Sequence, residues 1–148
     1  MWKHTILGGV AIVLGVTVTA HAADDTIKTR QAIMDTVGTA AEAGGKMVKG
    51  EAPFDARVAQ LALRAMNAAS YGYGFYFPEG SETGGETEAA PKIWEDRNGF
   101  EAELAKFQQA SAKAVAAKPA DLASFRTSFG EVTQSCKSCH ESYRIKKN

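Results

Sequence analysis

From Leu122 onward the apolar residues step by threes and fours: Leu122, Phe125, Phe129, Val132, Cys136, Cys139 and Tyr143. That rhythm puts them on one stripe of an α-helix spanning about 121 to 146. Such a stripe has to be covered by other helices crossing at shallow angles. The rest of the chain supplies three of them. Residues from about 95 or 96 to 117 place Phe100, Leu104, Phe107, Ser111 and Ala114 at alternating spacings of four and three, with Pro119 in the gap before the last helix. A helix over 25 to 43 carries Ile27, Met34, Val37 and Ala41, with Asp24, Asp25 and Thr26 as caps and Gly44 and Gly45 at its end. Residues 46 to 55 read as a connection, and Asp55 caps a second helix presenting Val58, Leu61, Ala65 and Ala69.

Strand-like alternation is absent, and so is any internal repeat. An aromatic cluster of Tyr71, Tyr73, Phe75, Tyr76 and Phe77 leads into the longest loop, PEGSETGGETEAAP, whose Gly, Glu and Thr content excludes extended regular structure. A loop of that length is either functional or mobile. The predicted fold class is all-α, an antiparallel four-helix bundle in up-down-up-down order.

The first 22 residues, MWKHTILGGVAIVLGVTVTAHA, have a basic start, an apolar run and a terminal Ala-His-Ala. This is the pattern of a secretory signal peptide cleaved after Ala22, and the run is short for a membrane-spanning helix. Residues 23 to 148 then form one domain, expected in the periplasm. The 17 basic and 17 acidic side chains balance, so nothing recruits nucleic acid, and no membrane attachment is expected after cleavage. His4 and His21 leave with the signal, which makes His140 the sole histidine of the mature chain.

Both cysteines lie beside that histidine, in Cys136-Lys137-Ser138-Cys139-His140. In an oxidising compartment two cysteines ordinarily pair, but residues three apart on a helix are poorly placed for an unstrained disulfide. The spacing is that of C-x-x-C-H haem attachment. Positions i, i+3 and i+4 share one helix face, so two sulfurs can form thioethers to one edge of a porphyrin while the imidazole reaches the iron. A redox dithiol would want a helix N-terminus in a β-α-β setting, and a zinc site would want more ligands. The expected cofactor is therefore one haem c with its iron. Only eight residues follow His140, so a sixth iron ligand has to come from an earlier helix, where Met34, Met47 and Met66 are the thioethers on offer. Equally, all three fill core gaps.

Four segments in order carry a family resemblance: Arg30-Gln31-x-x-Met34; Lys49-Gly50-x-Ala52-Pro53-Phe54-Asp55; Thr87-Glu88-Ala89-x-Pro91-x-Ile93-Trp94; and Cys136-x-x-Cys139-His140-x-x-Tyr143-Arg144. Together they resemble the class II cytochromes c, and within them the cytochrome c′ family, over essentially the whole mature chain. The resemblance implies a five-coordinate haem with Met34 blocking the distal face, where nitric oxide and carbon monoxide enter by displacing it. It implies that Arg30 and Gln31 bond the haem propionates, that Thr87 and Glu88 lie near the haem edge, and that Arg144 sits beside the proximal imidazole. Read without it, Arg30 is a solvated surface arginine. Relatives of the low-spin c-556 type share the pattern but let such a methionine bind iron, and the sequence accommodates both. The family transfers electrons and binds gases, so no enzyme activity is expected, and Met34 and Val37 offer no general acid. Its members commonly dimerise through the first two helices, which makes a homodimer the expectation. The redox partner is not legible.

Overall fold

The computed structural model describes residues 17–145, with side chains from 23 onward. Most of the signal-peptide reading therefore lies outside the described residues, as does Lys146 at the end of the expected last helix. Four long helices dominate: α1 (Thr17–Lys49), α2 (Ala56–Ser70), α4 (Arg97–Ala117) and α5 (Leu122–Tyr143). A 3-10 turn (Tyr73–Tyr76) and the short α3 (Lys92–Glu95) flank the long loop. Helix α1 packs on α2, α2 on α4, α4 on α5, and α5 closes back onto α1. This is the antiparallel up-down-up-down bundle that the periodicity predicts.

Acidic caps start three of the helices. Asp55 accepts from the backbone of Arg57 and Val58 at 2.8 and 3.0 Å, Asp96 from Gly99, and Asp121 forms a reciprocal box with Ser124. Those bonds hold the Asp55 and Asp121 carboxyls below the usual aspartate range, and Asp96 is held there first by the Tyr143 hydroxyl and then by Gly99 N–H. Helix α1 departs from expectation at both ends. It is already helical from Thr17, and Asp24 pairs with Lys28 one turn on rather than capping. It also runs straight through Gly44 and Gly45 to Lys49, where Gly50 at φ 77° ends it.

Gly44 is there because α5 comes close, not because the helix stops. A β-carbon at that position would lie 2.8 Å from Phe129 Cζ, whereas one at Gly45 would meet nothing within 4 Å. Alanine gains about 1 kcal/mol over glycine in a helix interior, while overpacking a core costs about 1–3 kcal/mol. Gly44→Ala should therefore lower the melting temperature and Gly45→Ala raise it, as thermal circular dichroism will read.

The α4 and α5 stripes face inward as expected, with Phe107, Ala114, Phe125, Phe129 and Val132 buried. On α2 the buried face differs from the expected one. Ala59, Ala62, Leu63, Met66 and Ser70 point inward, while Val58 and Leu61 are exposed. Around them the core divides in two. One cluster centres on Leu63, Met66, Phe125 and Val132; a smaller one joins Phe77, Ile93, Phe100 and Tyr143.

Candidate haem site

A cavity of about 630 Å³ opens between the clusters, within the range of about 300–1,000 Å³ typical of cofactor sites. One wall is the inner face of α5, where Cys136, Cys139 and His140 stand together because of their three-and-four spacing. Facing it, α1 contributes Arg30, Gln31, Met34 and Val37. Thr87 and Glu88 come from the long loop, and Arg144 from the residue that caps α5. All nine site residues picked from the sequence thus line one space. Met47 and Met66 do not; they are 2% and 0% exposed in the main core, so Met34 is the only one of the three candidate thioethers on the cavity.

The chemistry of the α5 residues follows from burial. It pushes the Cys136 thiol up and, with Glu103 adding to it, lifts Cys139 to about 11. Reactive dithiols need the opposite shift. The sulfurs are free of any disulfide and protonated at neutral pH, which disfavours the redox-pair reading. Partial desolvation against the cavity wall and the Arg144 charge lower the pKa of His140, though the residue is exposed at the cavity mouth, and this favours the neutral ring with a lone pair for a metal. Among the described residues no cluster of three or more His, Cys, Asp or Glu side chains could hold a metal ion unaided.

Arg30 is no surface arginine. It is 4% exposed, and its two terminal nitrogens donate to Tyr76 O, Ser81 Oγ, Ser81 O and Thr87 Oγ1 at 3.0 to 3.4 Å. Its guanidinium also lies over the Phe77 and Trp94 rings. No carboxylate is among these hydrogen-bond partners, and burial lowers its pKa. Gln31 ties the same loop down through Glu86 O at 3.0 Å. Arg144 pairs with Glu88, its Nε 2.6 Å from Oε2. Backbone bonds from Ile145 to Glu88 O and from Ala90 to Tyr143 O stitch the loop to the end of α5.

Sequence reading missed Ser81, Tyr73 and the rings of Phe77 and Phe100. Ser81 is fully buried under Arg30, yet nothing in a Gly- and Glu-rich loop marks one serine as its anchor. The aromatic run before Pro78 was visible, but not which of its members turn inward. Phe77 is buried and Phe75 is 87% exposed.

Two unpaired thiols, a neutral imidazole, apolar walls and a buried cation in one cavity fit a covalently attached haem. Fold and site together define the class: helical-bundle proteins that staple haem to a C-x-x-C-H helix. The family model for cytochrome c′ matches residues 25–144. The cytochrome c′ of Rhodopseudomonas palustris is 42% identical over 129 residues, 87% of this chain and 88% of the relative. A solved structure of cytochrome c′ from Rhodopseudomonas palustris superposes with a TM-score of 0.80 at 41% identity, covering 84% of this chain and 98% of that one. A cytochrome c-556 of Agrobacterium tumefaciens is 32% identical over 82% of this chain and 98% of the relative. The nitric oxide complex of a cytochrome c prime variant from Alcaligenes xylosoxidans superposes with a TM-score of 0.74 at 34% identity, covering 84% and 97%. The chain belongs to the cytochrome c′ family, itself a type example of such bundles. Its cofactor is haem c, and members are electron-transfer and gas-binding proteins rather than enzymes.

Proposed function

We propose that this is an exported, periplasmic gas-binding cytochrome, processed after Ala22, whose haem is joined to Cys136 and Cys139 and held at its iron by His140. In the haem-loaded protein no side chain of this chain would bind the iron from the Met34 side, and nitric oxide or carbon monoxide would enter there by pushing Met34 aside. The observation that carries this reading is the shared cavity: thiols and imidazole on α5, with the Met34 side chain contributed by α1. When bound, haem supplies an iron that changes oxidation state and takes diatomic ligands.

The chain's own residues do the rest. The cysteines fix the orientation of the group, and the neutral His140 ring donates its lone pair. Met34 and Val37 keep the distal side apolar. Arg30, Gln31, Thr87 and Glu88 form the propionate edge, where Arg30 has both terminal nitrogens committed and offers its Nε–H and its charge. Arg144 holds the proximal side against Glu88. Val58 and Leu61, 42% and 68% exposed on α2, support a homodimer through the first two helices, which size-exclusion chromatography reads directly.

A second reading has its own support in the c-556 relatives: Met34 binds iron, and the protein is a low-spin electron carrier. The reduced absorption spectrum separates the two. An open site gives high-spin bands that sharpen with carbon monoxide, whereas a low-spin spectrum indifferent to the gas would falsify the gas-binding reading. In Met34→Ala, removing a blocking contact of about 1.4 kcal/mol corresponds to tenfold in affinity. The open-site model expects carbon monoxide to bind that much more tightly, and faster; the carrier model expects a change of spin state.

A further inference from the structure

Tyr143 is a cavity residue whose polar end leads out of the cavity. Its side chain lines the space shared with Cys139 and is 6% exposed overall. Its hydroxyl donates to Asp96 Oδ2 at 2.8 Å, and Asp96 is exposed to solvent. Room for this bond is made by Gly99, where a β-carbon would lie 2.7 Å from Asp96 Cγ. A phenol releases an electron readily only when its proton leaves at the same moment, because the phenol radical cation is a very strong acid. A carboxylate held on the hydroxyl is the acceptor such a step requires, and this one can pass the proton on to water. The Tyr143 ring also packs edge-on against Phe100, with centroids 5.4 Å apart. Phe100 meets Phe77 at 4.8 Å, and Phe77 meets the partly exposed Trp94 at 5.9 Å.

We infer that Tyr143 and Asp96 form a proton-coupled electron donor to the cavity cofactor, which quenches oxidising equivalents when the reduced protein meets a peroxide. This rests on the haem reading above. In the step, hydrogen peroxide takes two electrons, one from ferrous iron and one from Tyr143. Its O–O bond breaks, and two waters form with one proton from solvent and one from the phenol by way of Asp96. Ferric iron and a neutral tyrosyl radical remain.

The test uses the haem-loaded full protein, with loading verified first from mass and absorbance, so that failure of the haem reading shows before peroxide is added. The ferrous protein is mixed with one equivalent of hydrogen peroxide and freeze-quenched for electron paramagnetic resonance. A spin-trap adduct is mapped by mass spectrometry. We expect a tyrosyl signal with the adduct on Tyr143. Tyr143→Phe, which keeps the ring stack, should abolish that signal. Asp96→Asn keeps an equally good helix cap but removes the proton acceptor, and should cut the tyrosyl yield severalfold. A radical of undiminished yield in Tyr143→Phe, an adduct confined to Tyr73 or Trp94 in the parent protein, or an unchanged yield in Asp96→Asn would each overturn the proposal.

Discussion

Arg30→Ala should cost about 3 kcal/mol and release the long loop, because the substitution takes the side-chain donor from the buried Ser81 O and from the Tyr76 carbonyl and leaves Ser81 Oγ only its bond to Pro78 O. Each buried polar group left without a partner costs about 1–3 kcal/mol, and Ser81 is fully buried. The cation's contacts with Phe77 and Trp94 go as well. Arg30→Lys should rescue little, since an ammonium is a point charge that cannot span Tyr76, Ser81 and Thr87 as a planar fork does. Thermal denaturation measures the loss, and limited proteolysis within 78–88 measures the release. A loop that stays resistant to protease would show that other contacts secure it.

Replacing Cys136 and Cys139 together with serine should remove the covalent cofactor, and most of the stability with it. The chain recovered from its host should weigh one haem less. Residual cavity costs about 24 cal/mol per Å³, so if only a third of the about 630 Å³ stays empty the penalty reaches about 5 kcal/mol. A domain of this size has about 5–15 kcal/mol in total. The expected product is poorly folded, with weak helical circular dichroism. A variant that kept the parent mass and melting temperature would remove the C-x-x-C-H motif from the centre of the functional reading.

How far the sequence reaches differs from helix to helix, for physical reasons. On α4 and α5 large side chains such as Phe100, Phe107, Phe125 and Phe129 occupy one stripe, so the buried face is unambiguous. Helix α2 reads ARVAQLALRAMNAAS, with alanines on every side. Its apolar pattern therefore permits more than one stripe. The Val58 and Leu61 face fits the period as well as the Ala59, Leu63 and Met66 face that is buried. Gly44 misleads for another reason: glycine at a helix end and glycine at a close helix crossing look alike until the partner Phe129 is in place. The attachment motif was legible because its chemistry is local. The setting of Arg30 was not, because its anchor lies 51 residues away in a loop without periodicity.

The last turn of a helix is ordinarily where a bundle starts to come undone, since its carbonyls lack partners further along the chain. In α5 that turn carries His140, yet the Tyr143 carbonyl accepts from Ala90 N–H at 3.0 Å and Ile145 N–H reaches Glu88 O at 2.8 Å. Fraying there must first break bonds to a segment more than fifty residues upstream. The His140 imidazole is thus borne on a clamped end, and transient opening is expected to begin elsewhere in the molecule.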